Sequence, residues 1–115
     1  MRYKTSEKVI VNSIIRFLRL NGIICERHNS GRLRLEDDHR ARLAFLGSAG
    51  WPDIIGCLSD GRFLGIEVKT PERKNNLTAL QFDTLAVMMK QGALAFIATG
   101  IDDVEARLKR EGYLK

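Results

Sequence analysis

Asp53 opens one apolar, strand-like run, and thirteen residues later Glu67-Val68-Lys69 sits in the next. Side chains alternate faces along a strand, so Glu67 and Lys69 project to the same side. If the strand of Asp53 pairs beside them, two carboxylates and an ammonium meet at one edge of a sheet. Such a group could hold a divalent cation against a phosphodiester. Hard cations such as Mg²⁺ take one or two protein carboxylates and complete their shell with water and phosphate oxygen. A cation so held lowers the pKa of a bound water and stabilises charge on the leaving oxygen. The same residues could instead form a cross-strand ion pair on a solvated face.

The turn between the two runs bears on the choice. A two-residue loop at Asp60-Gly61 would set Asp53 opposite Val68 and leave Asp53 and Glu67 on opposite faces. A three-residue loop, Ser59-Asp60-Gly61, pairs Asp53 with Glu67 directly. That loop class favours a glycine in the left-handed conformation at its last position, and Gly61 is there. In that register Phe63, Gly65, Glu67 and Lys69 share the active face. Leu64, Ile66 and Val68 share the core face with Ile54 and Leu58. Gly65 leaves room beside Glu67, which a substrate backbone could use. Two carboxylates on one face repel each other unless a cation lies between them.

The elements that must position this group follow from period and punctuation. Residues 5–20 read as a helix with an apolar stripe of Val11, Ile14, Ile15 and Leu18, and with Arg16 and Arg19 off it. Thr5 is the expected cap, and Asn21-Gly22 the expected stop. Strands are expected at 22–28, at 32–35 and 40–46 as a hairpin, at 53–58, at 62–69 and at 93–98. A helix at about 79–91 starts from a capping box, Thr78-x-x-Gln81. A last helix opens at Asp102-x-x-Glu105 and ends by Gly112. The order is αβββββαβα, an α/β arrangement with a central mixed β-sheet flanked by α-helices.

Composition narrows the class. The 115 residues fit a single domain spanning 1–115, and 44% hydrophobic content suffices for a core. A formal charge of +5 favours a polyanionic partner. No apolar run nears the roughly 20 residues that span a bilayer, and Met1-Arg2-Tyr3-Lys4 does not read as a signal peptide. Cys25 and Cys57 lie in apolar segments without metal-ligand spacing, so both read as reduced core thiols of a cytoplasmic protein.

Three stretches together resemble the VRR-NUC family, the virus-type replication-repair nucleases of the PD-(D/E)XK superfamily. They are Gly50-Trp51-Pro52-Asp53-Ile54-Ile55, Gly61-Arg62-Phe63-Leu64-Gly65-Ile66-Glu67-Val68-Lys69 and Leu77-Thr78-x-x-Gln81. Asn29-Ser30-Gly31, Gly92-Ala93 and Asp102-Asp103-Val104 add to the match, which covers nearly the whole chain at the stand-alone, phage-like length. The resemblance implies a restriction-endonuclease-like fold and Mg²⁺-dependent DNA cleavage, with Mn²⁺ able to substitute and no organic cofactor. It implies that Asp53 and Glu67 ligate the metal with the Val68 carbonyl, and that Lys69 positions or activates the attacking water. It implies that Glu7 binds metal directly or through water, and that Gln81 supports Lys69 or the nucleophile. Stand-alone members resemble Holliday-junction resolvases, so branched DNA and a homodimer are expected, in a bacterial host cell if phage-encoded.

Each further residue also has a plainer reading. Glu7 also reads as an acid complementing the helix dipole, although its spacing from Val11 and Ile14 puts it on the inward stripe. Gln81 could simply complete its capping box. Arg32, Arg34, Arg40 and Arg42 suit phosphate contacts or a charged edge that resists aggregation. Arg73 and Lys74 lie in a basic loop that touches DNA or is merely solvated. Trp51 could stack on a base or pack in the core, and packing is the expectation. His28-Asn29 weakly suggests a His-Asn endonuclease, but no second histidine lies at useful spacing. A non-catalytic DNA-binding module and a flap- or end-acting nuclease are the alternatives to a junction endonuclease.

Overall fold

The computed structural model describes residues 6–28 and 50–115. Helix α1 (Glu7–Leu20) is followed by strands β1 (Ile24–Arg27), β2 (Ile54–Cys57) and β3 (Phe63–Val68). A 3₁₀ turn at Pro71–Arg73 leads to α2 (Ala79–Lys90), β4 (Leu94–Ala98) and α3 (Ile101–Arg110). The described strands form one mixed sheet in the order β1-β2-β3-β4. β1/β2 and β2/β3 are antiparallel, and β3/β4 is parallel. The parallel pair needs a long crossover, and α2 lies in it. The expected hairpin at 32–35 and 40–46 falls outside the described residues, so the described order is αβββαβα.

Helix α1 forms where its apolar residues recur at helical spacing. Ile10, Val11, Ile14, Ile15 and Leu18 are buried, while Arg16 and Arg19 point outward. The cap is Ser6 rather than Thr5: the Ser6 hydroxyl accepts the Val9 N–H at 3.3 Å. At the other end the Ile23 N–H reaches the Leu18 carbonyl and the Gly22 N–H reaches that of Arg19, the Schellman arrangement expected at Asn21-Gly22. Helix α3 starts one residue before Asp102, and its N-cap Gly100 offers no side chain. Asp102 therefore lies within the first turn, where it complements the helix dipole, instead of capping it.

β3 is central and covered on both faces, which is why Leu64 through Val68 are all buried. Leu64, Ile66 and Val68 pack with Ile54, Leu58, Leu94 and Ala98 against α1 and α3. Alternation sends Phe63, Gly65 and Glu67 to the opposite face, which α2 covers. The β2–β3 register pairs Ile54 with Ile66 and Cys57 with Phe63, so Asp53 falls opposite Glu67. The Leu58 N–H donates to Arg62 O and the Gly61 N–H to Leu58 O, both at 2.9 Å. The loop is Ser59-Asp60-Gly61, and Gly61 has φ +89°, the left-handed geometry that the three-residue loop requires. Tyr113 fastens this turn, its hydroxyl donating to Asp60 at 2.7 Å.

The same alternation corrects one expectation. Cys25 is buried, but Cys57 is exposed, because burying Ile54 and Leu58 turns Cys57 to the other face of β2. Among the described residues no helix is long and apolar enough to cross a membrane.

Candidate functional site

Buried Pro52 and the β1–β2 ladder fix where Asp53 enters the sheet. The Asp53 carbonyl accepts the His28 N–H at 2.7 Å, which ties it to the end of β1. Its carboxylate reaches across to β3 and accepts the backbone N–H of Val68 at 2.8 Å. Gly65 is part of this support. A Cβ there would stand 2.8 Å from Pro52 Cγ, closer than side chains tolerate. The missing side chain therefore makes room for the chain's own proline, not for a substrate backbone as expected from the sequence.

Glu67 projects from the central strand into the space beneath α2 and is 3% exposed. Burial pushes its carboxyl up to about 8, with the negative charge of Asp53 as the next cause and Lys69 acting in the opposite direction. Lys69 Nζ lies 3.5 Å from Glu67 Oε2. The Lys69 backbone continues the parallel ladder, its N–H donating to Ala98 O at 3.1 Å.

Gln81 joins these groups. Its Nε2 donates to Glu67 Oε2 at 2.9 Å. Its Oε1 accepts from Lys69 Nζ at 3.3 Å and from the Thr78 N–H at 3.1 Å. A backbone N–H can only donate, so the Thr78 contact fixes which end of the amide carries oxygen. The Thr78 hydroxyl accepts the Gln81 N–H at 3.1 Å and completes the capping box. The two roles open for Gln81 in the sequence thus coexist: the residue that caps α2 also orients the acid and the lysine.

Four of the expected residues, Asp53, Glu67, Lys69 and Gln81, come together, with Val68 between two of them. Glu7 does not join them. It is exposed in the first turn of α1, on the helix that covers the other face of the sheet. Glu7 does share the azimuth of the buried stripe, three and four residues before Ile10 and Val11, but it is the first residue of the helix and is left exposed at its end. Among the described residues no three acidic, histidine or cysteine side chains converge as a metal-binding group. Arg73 and Lys74 lie exposed just beyond Lys69, and the Lys74 charge helps hold the Asp103 carboxyl low, after the Thr99 backbone N–H. Arg32, Arg34, Arg40 and Arg42 fall outside the described residues.

Trp51 departs from the expected core packing. It is 38% exposed, with its ring 5.7 Å from that of His28 and 6.1 Å from that of Phe63. With Phe63 it lines a cavity of about 620 Å³ between the β2–β3 hairpin and α2.

A structural comparison identifies the architecture. A solved VRR_NUC domain protein superposes with a TM-score of 0.62 over 98% of this chain and 93% of its own, at 22% identity. The chain has the fold of a VRR_NUC domain. Comparison with family models finds no match to the sequence, and comparison with curated proteins finds none. The VRR_NUC likeness covers the strands that carry Asp53, Glu67 and Lys69 and the helix that carries Gln81. Two carboxylates, a lysine and an amide therefore meet on one face of a VRR_NUC sheet.

Proposed function

We propose that this chain is a Mg²⁺-dependent endonuclease that hydrolyses phosphodiester bonds in branched DNA, such as a Holliday junction, in the cytoplasm. The observation that carries the reading is Glu67: a carboxylate buried to 3% exposure directly across from Asp53. Two acids packed this way strain the ionised state unless a cation is held between them. The donor set is all oxygen, which suits a hard cation, and Mg²⁺ needs no more than one or two protein carboxylates when substrate phosphate completes its shell. Asp53 and Glu67 would hold it, with the Val68 carbonyl as a further ligand; Mn²⁺ should substitute. When bound, the cation would supply Lewis acidity toward the phosphoryl group and a more acidic water.

The chain's own residues do the rest. Lys69 cannot ligate a metal while protonated, so its part is electrostatic: an ammonium aimed where charge builds on the phosphoryl oxygens. Gln81 keeps that ammonium beside Glu67 by accepting from one and donating to the other. The Asp53–Val68 hydrogen bond locks the two strands so that the carboxylates cannot drift apart. Such preorganisation is what makes electrostatic catalysis effective.

Homodimer formation is part of the proposal. Of the apolar residues of α2 only Leu85 is buried, while Leu80, Phe82, Val87 and Met89 are exposed. A helix that is apolar on all sides is usually covered. Phe82 and Met89 flank β4, whose outer edge is unpaired among the described residues. A second copy seated there would give the paired sites that a twofold junction needs. The test is a panel of labelled junction, flap and linear duplex incubated with Mg²⁺, Mn²⁺ or EDTA. Cation-dependent cutting that favours the junction supports the proposal. Equal cutting of all three, with a mass near that of one 13.0 kDa chain, removes the junction and dimer parts.

A further inference from the structure

The cavity between the β2–β3 hairpin and α2 has no part in the chemistry proposed above. It opens on the same face of the sheet as Glu67. Phe63 lies four residues before Glu67, about 13 Å along the strand, and Trp51 lies two residues before Asp53. Its volume of about 620 Å³ is that of a small-molecule site. The walls are aromatic and aliphatic: Trp51, Phe63, Val87 and Met88.

Its polar groups are unevenly committed. The Arg62 guanidinium is engaged elsewhere, donating to Gly92 O at 2.7 Å and Ala93 O at 3.4 Å and lying 3.9 Å from Glu111. The Thr84 hydroxyl donates to Leu80 O at 2.7 Å. Asp83 and Gln91 are solvent-exposed at the rim, and neither side chain makes a hydrogen bond or ion pair among the described residues. An uncommitted carboxylate repels phosphate, so the cavity is ill suited to the backbone of a nucleic acid. It is suited to a flat, apolar group that brings hydrogen-bond donors. An unpaired nucleobase with an exocyclic amine is such a group: aromatic rings accept any base face, and carboxylates accept from the amino group of cytosine.

We propose that this cavity receives one unpaired, amino-bearing base of the DNA, stacked on Trp51 and read by Asp83. Thymine has no exocyclic amine and is disfavoured. The inference rests on the reading of DNA as substrate, and it gives branched DNA a physical advantage. Unpaired bases at a branch are already out of the stack, so moving one into a pocket costs less than extracting it from a duplex.

Trp51 is the single tryptophan of the chain, so its fluorescence reports the cavity directly. The experiment uses short single strands in EDTA, where no cutting is asked of the protein. Oligodeoxycytidine should quench Trp51, oligothymidine should quench it more weakly, and an abasic strand of equal length should not. Labelled-strand anisotropy should show Trp51→Ala weakening oligodeoxycytidine binding about fivefold or more and Trp51→Phe retaining it. Asp83→Ala should lower affinity for oligodeoxycytidine to that for oligothymidine, with circular dichroism confirming the fold of each variant. Equal quenching by the abasic strand, or a cytosine preference unchanged in Asp83→Ala, overturns the inference. A protein that cuts junctions in Mg²⁺ without base-dependent quenching keeps the nuclease reading and loses this one. Base-dependent quenching without cutting does the reverse.

Discussion

Replacing Glu67 with glutamine should stabilise the metal-free protein at alkaline pH while removing a residue placed in the site. In the folded chain the Glu67 carboxyl is pushed up to about 8 from an ordinary 4.5. Between those values the folded state binds more protons than the unfolded state, so stability falls as pH rises. The favourable contribution is fully present below pH 4.5 and is lost as pH climbs through about 8. At about 1.4 kcal/mol per pH unit the interval sets a ceiling of about 5 kcal/mol. Structural relaxation and water penetration reduce this to on the order of 2 kcal/mol. Glutamine has the same shape, carries no charge, and can still accept from Gln81 Nε2. For a chain of this size 2 kcal/mol is a rise in Tm of roughly 10 °C. Thermal melts in EDTA from about pH 4.5 to 9 should show the variant and the wild type converging at the acid end, separating steadily as pH rises from about 4.5, and holding a constant difference above about 8. Excess Mg²⁺ should raise the wild-type Tm at pH 8.5 and leave the variant nearly unmoved. A variant less stable than wild type at pH 8.5, or a difference independent of pH, would refute the claim that a strained, buried acid sits at this position.

Three other outcomes follow from the same geometry. Lys69→Ala should lower single-turnover cleavage about 100-fold or more with little change in Mn²⁺ affinity by calorimetry; parallel losses in both would contradict an electrostatic role. Gln81→Ala should cost about 1 kcal/mol of stability through the lost capping box and about 10- to 100-fold in cleavage through the freed acid and lysine, whereas Gln81→Glu should restore the cap and not the cleavage. Gly65→Ala should destabilise by about 1–3 kcal/mol, read by urea unfolding, because its Cβ meets the Pro52 ring; a neutral effect would show that Pro52 does not brace Asp53.

Much of the site was legible because strands and tight turns obey parity. Counting Ser59-Asp60-Gly61 as a three-residue loop was enough to set Asp53 across from Glu67 and to place Gly61 at positive φ. The alternation that buries Ile66 and Val68 then sends Glu67 and Lys69 to the opposite face. Helix phase placed Glu7 on the stripe of Ile10, Val11 and Ile14, but phase does not tell where along its length a helix leaves the sheet, and Glu7, its first residue, stays exposed. Parity also settled Cys57, but only once Ile54 and Leu58 were known to face the same core. The long-range contacts were not legible. Nothing local to Gly65 indicates that Pro52 occupies the space above it, and nothing local to Gln81 indicates that its two amide ends reach Glu67 and Lys69 across an intervening turn. Trp51 illustrates the same limit, because an aromatic next to a buried proline reads as core until the cavity beside it is seen. The resemblance to VRR-NUC proteins extended to the fold, which the structural comparison bears out.

The most direct test of the account is single-turnover cleavage of a labelled four-way junction by wild type and Asp53→Asn, with Mg²⁺ and with EDTA. The account predicts cutting by wild type in Mg²⁺ alone, and a rate at least about 100-fold lower for the variant while its DNA affinity is unchanged or tighter, since removing an anion relieves repulsion of phosphate. Cleavage by Asp53→Asn at the wild-type rate in saturating Mg²⁺, or cleavage by wild type that persists in EDTA, would contradict it.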